Sequence, residues 1–271
     1  MIALGSEREK GNRYSVSEID IAEVQDWARE AGALAKSYFN RVERSRKADR
    51  SYVTRADTEI EEMLRTHIAA QYPQHGIMGE EQGIGAIDRE FVWSLDPLDG
   101  TDAYTSGLAV WGVSIGVLRA GKPYLGVIYL PLLDDCYWAD AEGAAFRNDE
   151  RLAVNPTTTI DSNDWLAIGS YTHRRFMVDF PGKTRSLSCV AADFCYVARG
   201  SALGALIPRA SLWDIAAGLR ILEAAGGVAY GLSGQTLNIG ELLDGHKLPE
   251  AVIISSPQLN EKIRGCVRVR P

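Results

Sequence analysis

The sequence predicts an α/β (α+β) fold in which helices pack in layers on β-sheets. Three observations indicate this class. Helix-like periodicity and strand-like segments each occur in both halves of the chain, and 46% of its 271 residues are hydrophobic, enough for a large core. Residues 141–165 are polar and loop-rich. We therefore predict an N-terminal lobe of residues 1–145 and a C-terminal lobe of residues 146–271.

Two amphipathic helices are predicted first. Apolar residues recur at helical spacing over residues 19–42, which indicates the first helix. A basic stretch, "RVERSRKADR", and a short extended segment, "YVT", come before the second helix. The second helix is predicted to begin at Asp57 or Thr58, where the acidic residues of "DTEIEE" suit the helix dipole, and to end near residues 72–73.

The sequence pattern then changes from helix-like to strand-like. The segments "FVWSL", "VWGVSIGVL", "YLGVIYL" and "CYWAD" are rich in β-branched and aromatic residues. Short turns, "RAGKPY" and "PLLDD", join the last three, so an antiparallel meander is predicted. Further along, "WLAIGS" and "AVIISS" are typical of strands. The segments "SCVAADFCYVARGS", "LWDIAAGLRILEAAGG" and "SPQLNEKIRGCV" are typical of helices.

Composition excludes several functional classes. The chain has 29 basic and 36 acidic residues and a net charge of −7, which argues against broad attraction to nucleic acid or to an anionic membrane. No apolar run approaches a membrane span, and the first residues turn charged before a signal-peptide core can form. The cysteines are scattered, as expected in a reducing compartment. We expect a cytoplasmic protein.

Familiar catalytic motifs are missing. The histidines stand far apart with no His-Glu-x-x-His pattern, which argues against a zinc hydrolase. The sequence also lacks a dinucleotide-binding glycine motif, a P-loop and a serine-hydrolase elbow. Carboxylates are therefore the candidate catalytic groups.

The stretch "LDPLDGTD" concentrates negative charge after the strand "FVWSL". It contains Asp96, Asp99 and Asp102, while Pro97 and Gly100 restrict and relax the backbone where the chain turns. If a helical turn begins at "GTDAY", its free N–H groups form an anion site beside the carboxylates. Like charges this close favour a bound cation.

A calcium-binding loop is the alternative for this stretch. Such a loop needs a glutamate at its twelfth position, which here is Gly107. The ligand spacing is therefore not met. Oxygen ligands without histidine or cysteine favour Mg²⁺, with Mn²⁺ as a possible substitute.

Other acidic positions share this character. Glu80 and Glu81 lie in "GIMGEEQG", which is interpreted as a glycine-flanked loop, and Asp214 stands at the amino end of the helix "LWDIAAG". Each also has a simpler interpretation. Glu81 can be a solvated side chain, and Asp214 and Asp57 can be helix caps.

These motifs together resemble the inositol monophosphatase family of Mg²⁺-dependent, lithium-sensitive phosphatases. The resemblance rests on "KADRSYVTRAD", "GEEQG", "WSLDPLDGTDAY" and "WDIAAGLRILEAAGG", in that order, and covers residues from about 20 to 260. It implies a sandwich of alternating helix and sheet layers, like that of inositol monophosphatase and fructose-1,6-bisphosphatase. It also implies a phosphoric monoester hydrolase that forms a homodimer.

The resemblance also implies the ligands of two or three Mg²⁺ ions. Glu80, Asp96 and the backbone carbonyl of Leu98 would hold the first ion. Asp96, Asp99 and Asp214 would hold the second, and Glu80 would also touch a weaker third.

Catalytic and substrate-binding roles follow from the same resemblance. Gly100 and Thr101 would present N–H groups to the phosphate, and Asp214 would lie beside the substrate. Asp57 would bind the Thr101 hydroxyl, and this pair, with Glu80, would orient the attacking water.

Substrate choice stays open in the sequence. Inositol-specific members resemble one another in an acidic residue at the position of Ile207, so that contact is missing here. Arg209 can meet a second anionic group or can be a solvated surface residue. Asp102 is expected outside the ligand set. The basic segment 170–188 either faces the substrate or is a solvated loop.

The leading hypothesis is a phosphomonoesterase acting on a small phosphorylated metabolite, inositol 1-phosphate or a related compound. Alternative substrates are histidinol phosphate, a nucleotide 3′,5′-bisphosphate and fructose 1,6-bisphosphate. Neither nucleic acid nor membrane is an expected partner. An alternative of another class is a protein-interaction module in a transcription complex, as some relatives are.

Overall fold

The computed structural model describes residues 19–41, 45–46 and 52–271. Its α-helices are α1 (Ile21–Tyr38), α2 (Arg55–Gln71), α3 (Thr101–Thr105), α4 (Thr172–Arg175), α5 (Val190–Ala198), α6 (Leu212–Ala224) and α7 (Pro257–Gly265), with a 3₁₀ turn at Ile239–Leu242. Among these residues no helix is long and apolar enough to cross a membrane.

Within the described residues, the strands form two larger sheets and two short ribbons. Those before residue 152 are β1 (Ser45–Arg46), β2 (Tyr52–Val53), β3 (Gly76–Gly79), β4 (Gly83–Ile84), β5 (Phe91–Asp99), β6 (Gly112–Arg119), β7 (Lys122–Leu130), β8 (Asp135–Ala139), β9 (Ala145–Arg147) and β10 (Glu150–Arg151). Those after it are β11 (Trp165–Ile168), β12 (Phe176–Val178), β13 (Lys183–Arg185), β14 (Gly204–Ile207), β15 (Val228–Gly231), β16 (Val252–Ser255) and β17 (Val267–Val269).

The two predicted N-terminal helices are present. Helix α1 begins after Asp20, whose side chain accepts a hydrogen bond from the N–H of Ala22 at 2.9 Å. It ends at Tyr38, and its predicted end near Val42 lies outside the described residues. Helix α2 begins earlier than predicted, because Thr54 is its N-cap and Asp57 is the third helical residue of a capping box.

The first sheet has the order β10-β9-β8-β7-β6-β5-β3-β4. Strands β5 to β8 form the predicted antiparallel meander. Residues 76–79 were expected in a loop, but they form β3, because Met78 is buried and the segment pairs in parallel with β5. The predicted lobe division at residue 145 falls inside β9, which pairs with both β8 and β10.

The second sheet has the order β13-β11-β14-β16-β15. Its first three strands run parallel, and β16 is antiparallel to both of its neighbours. The carboxyl ends of β13, β11 and β14 therefore lie along one edge, where the loops that follow them meet.

Side chains that alternate between the two faces of β7 explain how helices cover both sides of the first sheet. Val127 and Tyr129 pack with α1 and α2, while Ile128 and Leu130 pack with α5 and α6 on the opposite face. The second sheet lies between the α5–α6 pair and α7. The order is thus helices, sheet, helices, sheet, helix, which confirms the predicted sandwich.

Close contact between α6 and the first sheet depends on small residues. A side chain at Gly116 of β6 would come within 2.7 Å of the Cβ atom of Ala216. Because this approach is close, the start of α6 lies against β5 and β6, and Asp214 in its first turn is brought to the carboxyl end of β5.

Candidate active site

Three acidic side chains converge at the carboxyl end of β5. Each of Glu80, Asp96 and Asp214 places one carboxylate oxygen within 4.8 Å of the other two. Asp96 lies near the end of β5, Glu80 directly follows β3, its parallel neighbour, and Asp214 lies in the first turn of α6. The parallel pairing of β3 and β5 explains why Glu80 and Asp96 lie close together, since the carboxyl ends of parallel strands meet at the same edge.

Asp99 lies beside this cluster but is not one of its three members. A register shift between Asp96 and Asp99 separates the two side chains. The Oδ2 atom of Asp99 accepts a hydrogen bond from the N–H of Ala191 in the first turn of α5. The thiol of Cys189 also lies 3.4 Å from this oxygen. Asp99 therefore joins the cluster to α5, a contact that its sequence position does not reveal.

Backbone N–H groups hold each of the four aspartates in place. The N–H of Leu98 donates to Asp96 at 3.1 Å. Asp57 accepts from the N–H of Thr54 at 2.8 Å, and Asp214 from that of Ser211 at 2.6 Å. In each pair the donor bonds to one carboxylate oxygen, so the side chain is oriented while the other oxygen can meet a second partner.

Burial and mutual repulsion raise the pKa values of these groups. Burial is the main cause at Asp96, whose pKa lies well above its ordinary value, and the charges of Glu80, Asp99 and Asp214 add to it. Burial also raises the pKa of Asp99 to about 6 and, with the charges of Asp99 and Glu80, that of Asp214 to about 8. Negative charge is therefore costly here without a cation.

The donor set fits Mg²⁺ or Mn²⁺. The three convergent side chains offer only carboxylate oxygens, which are hard ligands. The Leu98 carbonyl, another predicted ligand, accepts a hydrogen bond from the Thr101 hydroxyl at 3.1 Å. A divalent cation among these groups would offset the repulsion that raises their pKa values.

Thr101 connects the Leu98 carbonyl to Asp57. Its hydroxyl lies 3.3 Å from the Oδ1 atom of Asp57, the pair that the family resemblance implied. Burial raises the pKa of Asp57 to about 6, although hydrogen bonds from Thr54 lower it. One oxygen of Asp57 caps α2 by accepting from the N–H of Thr54, and the other meets the Thr101 hydroxyl.

Gly100 forms the turn between β5 and α3. Its φ of 86° lies in the left-handed region, and a side chain there would come within 3.1 Å of the Ser188 carbonyl. Helix α3 begins immediately after it, so a helical turn does begin at "GTDAY", and the N–H groups of its first turn have no partners within the helix. The loop before α5 thus closes over this turn.

The remaining predicted residues are not members of the carboxylate cluster. Asp102 is exposed on α3, as expected for a residue outside the ligand set. Ile207 is buried between the second sheet and the α5–α6 pair. Arg209 is exposed and lines a separate pocket with Lys247 and Arg175.

Sequence reasoning missed a residue that holds the Glu80 loop. The buried carboxylate of Glu61 accepts hydrogen bonds from the N–H groups of Glu81 and Gln82 at 2.7 and 3.0 Å. Arg65 pairs with the same carboxylate at 2.8 Å and donates to the Gly83 carbonyl at 2.6 Å. The available signal was spacing, since Glu61 lies one helical turn after Asp57 on α2.

Comparison with known proteins agrees with this geometry. A model of the inositol monophosphatase family matches residues 16–267. Fructose-1,6-bisphosphatase/inositol-1-monophosphatase from Aquifex aeolicus is 30% identical over 242 residues, which cover 84% of this chain and 90% of that protein. The Nus factor SuhB from Pasteurella multocida is 32% identical over 254 residues, which cover 89% of this chain and 94% of that protein.

Solved structures give the same result. The IMPase of Thermotoga maritima superposes with a TM-score of 0.80 at 26% sequence identity and covers 90% of this chain and 95% of its own. The fold, the acidic cluster and the matched length all agree. The chain therefore belongs to the inositol monophosphatase family and is a phosphoric monoester hydrolase.

Proposed function

We propose that this phosphatase hydrolyses a small phosphorylated metabolite with the help of Mg²⁺, two or three ions per site, for which Mn²⁺ can substitute. The proposed ligands are Glu80, Asp96, Asp99, Asp214 and the carbonyl of Leu98. The supporting observation is the convergence of three carboxylates within 4.8 Å, beside a threonine that is bound to a fourth acidic group.

Bound Mg²⁺ would supply positive charge for the phosphate and lower the pKa of an attacking water. The chain itself positions the water and accepts its proton. In this proposal the Thr101 hydroxyl receives the proton of the water and passes its own to the Oδ1 atom of Asp57, 3.3 Å away. Gly100 and Thr101 orient the phosphate through their N–H groups. The products are inorganic phosphate and an alcohol.

The substrate class is the second part of the proposal. Inositol 1-phosphate and related sugar phosphates follow from the family. Because the side chain of Ile207 is apolar and buried, it offers no hydrogen bond to a sugar hydroxyl. Histidinol phosphate, a nucleotide 3′,5′-bisphosphate and fructose 1,6-bisphosphate remain alternative substrates.

A phosphate-release screen tests the proposal. Purified protein is incubated with each of the four candidate substrates, with Mg²⁺ or with chelator, and with lithium as a family inhibitor. We expect Mg²⁺-dependent release from at least one of them, and none from Asp99→Asn. A folded protein that releases no phosphate from any, or releases it equally with chelator, would contradict the proposal.

A second candidate function is assembly into a transcription complex. The likeness to a protein named as a Nus factor favours it. A pull-down with tagged protein should then recover a stoichiometric partner, equally well with Asp99→Asn. Recovery of no partner at physiological salt would count against this role.

The oligomeric state and location are proposed from the family alone. A homodimer would elute at about twice the chain mass of 29.7 kDa, and light scattering at several concentrations checks this. Fractionation of source cells would place a cytoplasmic protein in the supernatant after lysis, and recovery in the membrane pellet would contradict that location.

A further inference from the structure

The carboxyl ends of three parallel strands bring three loops together beside the active site. Strands β13, β11 and β14 lead into residues 186–189, 169–171 and 208–211. The first two loops touch, since the hydroxyl oxygens of Ser170 and Ser188 lie 2.8 Å apart. Crevices at such edges are the usual ligand sites of parallel sheets.

A pocket of about 350 Å³ opens at the β14 end of this edge. It lies between α4, the residues after β14 and a later loop at residues 246–250. The N–H of Leu248 donates to the Ala210 carbonyl at 2.8 Å, which fixes that loop to the segment leading into α6. The lining residues are Arg175, Pro208, Arg209, His246, Lys247, Leu248, Pro249 and Glu250.

Acidic side chains near this pocket are already engaged. Glu250 accepts hydrogen bonds from the N–H and hydroxyl of Ser233 at 2.8 and 2.5 Å. Asp244 lies 2.6 Å from the Nδ1 atom of His246. The carboxylate of Glu250 is thus engaged by Ser233, outside the pocket, and that of Asp244 by His246, in the pocket lining.

Three positively charged side chains line the pocket without a carboxylate partner among the described residues. Within the described residues, no carboxylate lies within ion-pair distance of Arg175, Arg209 or Lys247. All three side chains are exposed, in a chain whose net charge is −7. This concentration of positive charge is the reverse of the overall balance and suits an anion.

The pocket is joined to the carboxylate cluster through the start of α6. The segment that carries Arg209 leads directly into this helix, and the N–H of Ser211, the N-cap of the helix, donates to Asp214 at 2.6 Å. Arg209 and Asp214 also lie on either side of the N-cap of α6, Ser211. A small molecule whose phosphate lies at the cluster is therefore within reach of this pocket.

We propose that Arg175, Arg209 and Lys247 bind a second anionic group of the substrate, a phosphate or a carboxylate. The proposal rests on the proposed phosphatase function, since the first phosphate must lie at the carboxylate cluster. It narrows the substrate class to phosphomonoesters that carry two anionic groups. Arginine suits this role because its planar donors match phosphate and carboxylate oxygens.

Matched substrates test the proposal. Fructose 1,6-bisphosphate and fructose 1-phosphate differ only in the second phosphate, and 3-phosphoglycerate and glycerol 3-phosphate test a carboxylate. We expect at least one doubly anionic member to have kcat/KM about tenfold higher than its partner, as charged hydrogen bonds allow. In the double variant Arg209→Ala/Lys247→Ala that preference is lost, mainly through KM.

A control separates this effect from general charge. Lys122 and Arg268 are exposed and lie outside the pocket, so Lys122→Ala/Arg268→Ala removes the same charge and keeps the preference. Equal kcat/KM within both pairs, or a preference that survives in the double pocket variant, would overturn the proposal.

Failure of the proposed phosphatase function can be distinguished from failure of the anion site. If Mg²⁺ supports no phosphate release from any substrate, the phosphatase assignment fails. The pocket is then tested by calorimetric binding of both substrate pairs. Affinity about tenfold higher for a doubly anionic member, lost in the pocket variant, supports the site, and equal affinities overturn it.

Discussion

Replacing Asp214 with asparagine should stabilise the metal-free protein. The side chain accepts the N–H of Ser211 through one oxygen, and the amide oxygen of asparagine can keep this helix cap. The substitution removes the charge that burial and the Asp99 and Glu80 carboxylates penalise. Activity should be lost in the same variant because a proposed metal ligand is gone.

The magnitude follows from the pKa of Asp214, which is raised from 3.8 to about 8. At about 1.4 kcal/mol per unit, the penalty at pH 7 is at most about 4 kcal/mol. Neighbouring carboxylates share protons and charge, so we expect roughly half of it, about 2 kcal/mol. For a chain of this length that raises Tm by about 4 °C.

The sign of the pH dependence is specific. Since the folded pKa exceeds the unfolded one, the folded protein binds more protons, and the wild type loses stability as pH rises from 3.8 to about 8. The advantage of Asp214→Asn should therefore be small near pH 4 and full at and above pH 8. Circular dichroism melts with chelator, across this range, measure it.

Added Mg²⁺ should reverse the order of the two melting temperatures, so that the wild type melts above Asp214→Asn. Binding to the folded wild type raises its Tm, while the variant, which lacks a proposed ligand, gains less. Equal melting temperatures with chelator at pH 8, or an advantage that does not change with pH, would refute the reasoning. Asp102→Asn is the matched control, because Asp102 is exposed and lies outside the cluster.

Further predictions concern turnover. Asp99→Asn should abolish phosphate release without lowering Tm in chelator, and near-normal turnover would refute its assignment as a ligand. Thr101→Val should lower kcat by about 100-fold or more, because it removes the hydroxyl that passes a proton to Asp57. A loss of only about tenfold or less in stopped assays would refute this. With Asp57 as proton acceptor, activity should fall as pH drops through about 6, and a kcat independent of pH between 5 and 7 would contradict this. Glu61→Gln should raise the Mg²⁺ concentration for half-maximal activity by about tenfold, since it loosens the Glu80 loop, and an unchanged Mg²⁺ titration would contradict this.

Much of the fold was predictable because its signals are local. Helical periodicity located α1, and strand propensity with short turns located the β5–β8 meander. The observed boundaries of helices and strands differ from the predicted ones where a distant contact or a helix cap determines them. Residues 76–79 became a strand because β5 lies beside them, and α2 began at Arg55 because Asp57 caps it from inside the helix.

Candidate ligands were equally visible, but their roles were not. Asp57 appeared as either a cap or a site residue, and the structure shows that one oxygen caps the helix while the other meets Thr101. Asp99 was visible as an acidic neighbour of Asp96, and its carboxylate also accepts a hydrogen bond from the N–H of Ala191. A backbone N–H leaves no mark in sequence, so this contact was not predictable.

Residue types, local turns and family membership can be read from the sequence alone. Pro97 and Gly100 set the backbone between Asp96 and Thr101, because their dihedral limits are intrinsic. Which acids converge and where positive charge collects depend on long-range packing. Asp214 reaches Asp96 because α6 packs against small residues of the first sheet, a long-range contact that no local pattern encodes.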